Sequence, residues 1–242
     1  MDKIYKMQTR VTSYDVGPTR AIKPSSILKI MQEVGGRHLE QDGLSYELMR
    51  EGGIVFLLVR LTVEIKKQPH CDETVTVETW FERKEGVRFI RDMCFSSENG
   101  ETCIEAATQW VIADPQTHRI LRPDAFPFSM PAFGGRSVEA TVSKIVLPDT
   151  AQLAGKRIVR WSDIDSNSHM NNTTYADILC DYFPGGLGTR ELSNFQIDFD
   201  GEAVLGDEIA VRTAIDSQNR VIVSGTIQNR RCFTACGGAV RG

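Results

Sequence analysis

Two stretches of the chain repeat apolar side chains at the helical period. After Pro24-Ser25-Ser26, the residues Ile27, Ile30, Met31, Val34 and His38 fall on one helical face, and after Asn171-Asn172-Thr173, the residues Tyr175, Ile178, Leu179 and Tyr182 do the same. Proline and small polar residues suit a helix start, because first-turn N–H groups have no intrahelical acceptor. Gly43 and Gly185-Gly186 lie where the two stripes end and supply stops. Each helix carries a single apolar stripe, so each must lie on a broad apolar surface such as a sheet. Runs rich in Val, Ile, Thr and aromatic residues follow both helices: 54–65, 73–81, 87–97 and 101–113 after the first, 194–199, 207–215, 220–228 and 232–240 after the second. Turn signals such as Glu98-Asn99-Gly100 and Ser217-Gln218-Asn219 separate them. These strands follow one another too closely for helical crossovers, which predicts antiparallel sheets and an α+β fold.

The order, helix then several strands, occurs twice, and the two halves match weakly in sequence. Tyr14-Asp15-Val16 parallels Ser162-Asp163-Ile164 and Ala21-Ile22 parallels His169-Met170, both 148 residues apart (163 − 15). Asp72-Glu73 parallels Asp207-Glu208 at a smaller offset. Between the halves, Pro123, Pro127, Pro131, Pro148 and Gly134-Gly135 predict an extended linker. The division expected is therefore 1–135, a linker over 136–150, and 151–242.

Composition narrows the class. The 242 residues are 41% hydrophobic and 25% charged, the profile of a globular protein with a core that needs no staples. A formal charge of −4 gives no compositional case for nucleic-acid or membrane binding. The six cysteines form no CxxC pair, so neither a zinc knuckle nor a thioredoxin-like motif is expected, and no metal or cofactor site is read. Cys232 and Cys236 read as buried thiols on one face of a strand. The first residues lack the apolar core of a signal peptide and the longest apolar run, Ile54–Val59, is too short to span a bilayer, so the cytoplasm is the expected setting.

The segment Asp163-Ile164-Asp165-Ser166-Asn167-Ser168-His169-Met170-Asn171-Asn172 carries the chemistry. Polar groups recur at every second position from 163 to 171, and on an extended backbone they project to one side. A calcium loop is excluded: Ser168 replaces the required glycine and Thr174 stands where the terminal acid belongs. Two readings stay open, a set of helix caps and Asx turns, or an active site with unsatisfied N–H donors at the helix entrance. The repeat favours the second. Gly17, Thr19 and Ala21 stand where the second half has Asp165, Asn167 and His169, and a cap needed for stability belongs in both copies. His70 and His118 read as solvated loop residues and His38 as packed.

The stretch Trp161 to Tyr175, WSDIDSNSHMNNTTY, resembles the signature of the acyl-acyl-carrier-protein (acyl-ACP) thioesterases, a plant and bacterial family, and the chain is identified as resembling its bacterial members. Ile197-Asp198-Phe199-Asp200-Gly201-Glu202-Ala203 is similar to the family's second catalytic segment. The resemblance implies two hotdog domains, each a long helix wrapped by an antiparallel sheet, hydrolysis of fatty acyl-ACP to free acid, and acyl carrier protein as partner. It carries the catalytic Asp, Asn, His and Glu onto Asp165, Asn167, His169 and Glu202. Plant members place a cysteine after that Glu; here the residue is Ala203, which favours attack by water.

On this basis the backbone around Asn171 and Asn172 is expected to polarise the thioester carbonyl, and Ile27, Ile30, Met31, Val34, Val55, Leu57 and Val59 to wall an acyl tunnel between the first helix and its sheet. Carrier protein is acidic, so docking is expected on Lys66-Lys67, Arg83-Lys84, Arg88 with Arg91, Arg157 with Arg160, or Arg230-Arg231. Alternatives are an acyl-CoA thioesterase, a non-catalytic acyl-binding module and a hotdog dehydratase. A monomer and a homodimer are both open.

Overall fold

The computed structural model describes residues 3–129 and 132–240; of the expected linker prolines, Pro131 lies outside the described residues. In the first half, β1 (Tyr5–Arg10) precedes α1 (Pro24–Gln41) and α2 (Tyr46–Glu51), followed by β2 (Val55–Ile65), β3 (Thr74–Glu85), β4 (Arg88–Ser97) and β5 (Thr102–Ala113). In the second, β6 (Gln152–Ile158) precedes α3 (Thr174–Asp181), then β7 (Glu191–Phe199), β8 (Glu208–Ile215), β9 (Val221–Ile227) and β10 (Arg230–Val240). All strand pairs are antiparallel, and they form one ten-stranded sheet in the order β1-β3-β4-β5-β2-β7-β10-β9-β8-β6. Taken from its outer edge inward, each half has the same order, 1-3-4-5-2 and 6-8-9-10-7. The halves meet where β2 pairs with β7, Arg60 opposite Asp198 through Glu64 opposite Asn194.

Both edge strands, β1 and β6, and the six-residue α2 lack a periodic apolar signal and were not expected from the sequence. The edges are blunted by charge: Lys6 pairs with Glu78, and Lys156 with Glu208.

The helices lie on one face of the sheet. Ile27, Met31 and Val34 of α1 and Tyr175, Ile178 and Leu179 of α3 pack with Leu61, Val63, Phe195 and Phe233 in a core that runs through both halves. Full burial of side chains of this size contributes about 1.5–3 kcal/mol each. A second cluster, including Leu44, Met49, Phe81 and Phe89, lies under the last turns of α1 and under α2.

The linker is extended, as its prolines predict, and covers the opposite face. Glu139 N–H donates to Glu105, Thr62 Oγ1 donates to the Thr141 carbonyl, and Ile145 N–H donates to Asp198. Gly135, at φ 129°, passes over Trp80; a Cβ there would stand 2.2 Å from the indole, so no side chain fits. Cys232 and Cys236 are both buried but on opposite faces, contrary to simple alternation, because a bulge between Arg231 and Phe233 shifts the strand's parity. No helix among the described residues is long and apolar enough to cross a membrane.

Candidate active site

The segment 163–172 is not extended. Ile164 and Met170 form an antiparallel bridge, and Asp165 N–H donates to the His169 carbonyl at 2.9 Å, closing a tight turn. Ser168 takes φ 66° at its tip, and its N–H donates to the Asp165 carbonyl. The polar groups therefore divide among tasks instead of sharing one side. Asp163 is buried and holds the frame: its carboxylate accepts from Arg160 N–H at 2.8 Å and from Arg157 at 2.8 Å. Asn171 turns its side chain onto Thr173 N–H. Asp165 accepts from Asn167 N–H at 2.8 Å.

His169 and Glu202 come together across the sheet end. Met170 N–H donates to the Ala203 carbonyl, and His169 bridges Val204, which sets imidazole Nε2 3.3 Å from a Glu202 oxygen. The other Glu202 oxygen lies 3.2 Å from His118 Nδ1, and the two imidazoles meet edge to face with centroids 5.9 Å apart. His118, exposed as expected, is thus brought by the first half into the candidate site. A turn fixes it: Asp114 accepts from Gln116 N–H, Thr117 N–H and Thr117 Oγ1, and these hydrogen bonds hold the Asp114 carboxyl below its usual range. The first half also supplies Tyr46 of α2, whose hydroxyl donates to Asn167 Oδ1. Neither contact was legible, because each joins segments more than 80 residues apart (202 − 118 and 167 − 46) with no local pattern that links them.

Of the expected backbone donors, Asn171 N–H is taken by the Asp163 carbonyl and Met170 N–H by Ala203. Asn171 is therefore not a donor to substrate. Asn172 N–H has no acceptor among the described residues, and Asn172 lines a cavity of about 270 Å³ that opens beside Asp165 and Asn167.

That cavity lies between α1 and the sheet, but its walls differ from those expected. Of the seven positions proposed, only Met31 lines it. Ile27 and Val34 are sealed in the core, and Ile30 packs against that core. Val55 and Leu57 have the wrong parity: Phe56 and Leu58 line the cavity, and a bulge at Val59 passes the inward position to Leu61. Further along α1, Gly35, Gly36 and Leu39 complete the wall with Leu44 and Met49.

The residue that follows Glu202 is Ala203, not a cysteine, and it is fully buried. Burial pushes the Cys180 and Cys232 thiols up to about 12 and Cys236 to about 11, which leaves them protonated and poor nucleophiles. Arg91, expected on a docking surface, is buried at 3% exposure and lines the cavity instead. Among the described residues no cluster of three or more metal-ligating side chains occurs.

Comparison with known proteins identifies the family. The family description "Acyl-ACP thioesterase N-terminal domain" matches residues 2–124, and "Acyl-ACP thioesterase C-terminal domain" matches residues 148–235. The chain belongs to the acyl-ACP thioesterases, a family of thioester hydrolases. It is 26% identical over 247 aligned residues to oleoyl-acyl carrier protein thioesterase 1 of Arabidopsis thaliana, covering 92% of this chain and 68% of that one. Against a second Arabidopsis oleoyl-acyl carrier protein thioesterase and one from Coriandrum sativum, it spans 65% and 61% of their length. The fold matches an acyl-ACP thioesterase structure from Bacteroides thetaiotaomicron with a TM-score of 0.83 at 20% identity, covering 98% of both chains. It also matches the 12:0-ACP thioesterase of Umbellularia californica with a TM-score of 0.82 at 19% identity, covering 99% and 98%.

Proposed function

We propose that this protein hydrolyses fatty acyl-ACP to free fatty acid and carrier protein, ending chain synthesis, and that Asp165, Asn167, His169 and Glu202 perform the reaction with His118. The observation that carries this reading is one carboxylate held between two imidazoles, one of them on the same tight turn as Asp165 and Asn167, which line the cavity. Glu202, with His169, takes a proton from water as its oxygen attacks the thioester carbonyl; a positioned base contributes about 10²–10⁴-fold. His118 holds the carboxylate's second oxygen. The tetrahedral oxyanion accepts from Asn172 N–H and from the Asn167 amide, whose carbonyl end is already engaged by Tyr46. Collapse breaks the C–S bond, and the proton held by Glu202 and His169 passes to the leaving pantetheine thiolate. Asp165 fixes the loop that presents Asn167.

In this reading each half is a hotdog domain, with 1–135 shaping the acyl pocket, 136–150 linking and 151–242 holding the catalytic loop. The six unpaired cysteines fit a reducing, cytoplasmic setting. Carrier protein docks on exposed cations near the loop, of which Arg160 beside the exposed Trp161 is the best placed. The test is a ladder of acyl-ACP thioesters with released acids quantified, and the same acyl groups on coenzyme A. Faster turnover of the carrier-bound series, falling steeply with salt, is the expected result. Equal or faster turnover of the coenzyme A series would move the protein to the acyl-CoA alternative, and stoichiometric binding without release to an acyl-binding module.

A further inference from the structure

The acyl cavity is not uniformly apolar. Arg91, on β4, lines it among Met31, Phe81, Met93 and Trp110, and only 3% of the residue is exposed. Nη1 donates to the Gly35 carbonyl at 2.9 Å, Nη2 lies 2.7 Å from His38 Nδ1, and the guanidinium stacks on Phe81 at 4.6 Å. Nε is itself buried and has no protein partner, and the Asp42 carboxylate acts on this cation only from beyond contact distance. Burial lowers its pKa to about 9, so it stays charged near neutral pH. A guanidinium has five N–H donors, and two are used here. The placement is built: a Cβ on Gly35 would stand 2.9 Å from Nη1, so α1 omits a side chain where the cation reaches it.

A hydrocarbon chain filling this cavity would shut out water and leave those donors unanswered. A chain bearing an oxygen would answer them. Tyr46, which meets Asn167, belongs to α2, packed on β2. Arg91 is on β4, two strand spacings away, or about 10 Å across the sheet, so the oxygen it meets is far from the thioester.

Resting on the thioesterase reading for the identity of the cavity, we propose that this pocket selects acyl chains carrying an acceptor oxygen at a distal position, a hydroxyl or oxo group, which Arg91 binds. Arg91 is a specificity residue and takes no part in bond breaking.

The test compares acyl-ACP thioesters of equal length, unsubstituted, distally hydroxylated and distally oxo-substituted, on the intact protein. The oxygenated chains should have kcat/KM roughly 10–100-fold higher, because a site built to bond an oxygen rejects the analogue lacking it. Arg91→Met should reverse that order, and Gly35→Ala, which displaces the guanidinium and leaves the apolar wall intact, should erase it. Should Arg91→Met fail to fold, the wild-type ratio and Gly35→Ala decide. Equal or better turnover of unsubstituted chains by the wild type overturns the proposal. If no thioester is cleaved, the thioesterase reading has failed instead; binding of the free hydroxy and unsubstituted acids, by calorimetry, then decides the pocket alone, and equal affinity sinks it.

Discussion

The turn at residues 15–24 and the turn at 163–172 are the same piece of backbone made twice. Gly17 N–H donates to the Ala21 carbonyl as Asp165 does to His169, and Arg20 N–H donates to Gly17 as Ser168 does to Asp165. Arg20 takes φ 65° where Ser168 takes 66°. Lys23 N–H donates to the Asp15 carbonyl as Asn171 does to Asp163, both at 2.8 Å, and Thr12 N–H meets the Asp15 carboxylate as Arg160 meets Asp163. What differs is the set of side chains to which the proposed function gives the reaction. Asp165, Asn167 and His169 replace Gly17, Thr19 and Ala21, and Glu202 stands where Gln68 does, one residue before the carbonyl that pairs with each turn. Asn172 keeps an N–H at the position where Pro24 has none. The same frame forms with and without these polar side chains, which is why the proposed function assigns them to the chemistry.

The sharpest way to break this comparison is at Glu202. Glu202→Gln keeps the shape and removes the base, and should lower kcat by about 10²–10⁴-fold with KM little changed. Gln68→Ala, at the matching place in the first half, removes a hydrogen bond to the Leu192 carbonyl and should lower only the melting temperature. Turnover by Glu202→Gln at the wild-type rate would end the catalytic assignment. Next comes Asn172→Pro, which installs the residue the first turn already accommodates. Loss of one oxyanion donor typically costs about 10²–10³ in kcat, so a folded variant with normal kcat would show that the backbone donor lies elsewhere.

The halves also differ in buried charge. β4 buries Arg91 and Asp92, whereas β9, its counterpart, contains no ionisable residue. Burial pushes the Asp92 carboxyl up to about 7. A raised carboxyl pKa means that the folded state holds the proton more tightly, so the group's contribution is fully present below pH 3.8, declines as pH rises, and is lost above pH 7. Asp92→Asn should therefore stabilise the protein at pH 8, by a few kcal/mol at most, and do little at pH 4. Melting curves at the two pH values check this, and an equal shift at both would discount ionisation as the cause.

Local pattern carried most of the fold. Both helix starts, eight of the strands and the extended linker follow from periodicity, proline and glycine, each a property of contiguous residues. The edge strands β1 and β6 and the short α2 escaped because each is held by its neighbours and carries no apolar stripe of its own. The bulges at Val59 and Cys232 escaped for a related reason. A single inserted residue inverts the alternation across it, and nothing in the text of either strand announces it, so the inward phase of Leu61 and Val63 does not carry back past Val59 to Leu57 and Val55, and Leu58 and Phe56 face the cavity instead. Of the candidate site, the positions 165, 167 and 169 were legible because one half could be read against the other. The candidate site was illegible where the halves cooperate, at His118 and Tyr46.

The smallest effect tests the shared frame itself. Desolvation acts to raise the Asp15 carboxyl, but hydrogen bonds from Thr12 and Ser26 outweigh it and hold the pKa below 3.8. A lowered carboxyl pKa contributes stability above pH 3.8 that fades as pH falls through the folded value. Asp15→Ala should then cost about 1 kcal/mol at pH 7, as loss of a capping side chain does, and less at pH 3, with kcat unchanged. Asp163→Ala removes the same cap together with the Arg157 pair and should cost more. It should also lower kcat, since its turn carries the imidazole. If Asp15→Ala impaired turnover as much as Asp163→Ala, the first turn would have to be counted part of the working site, and the division between frame and chemistry would be lost.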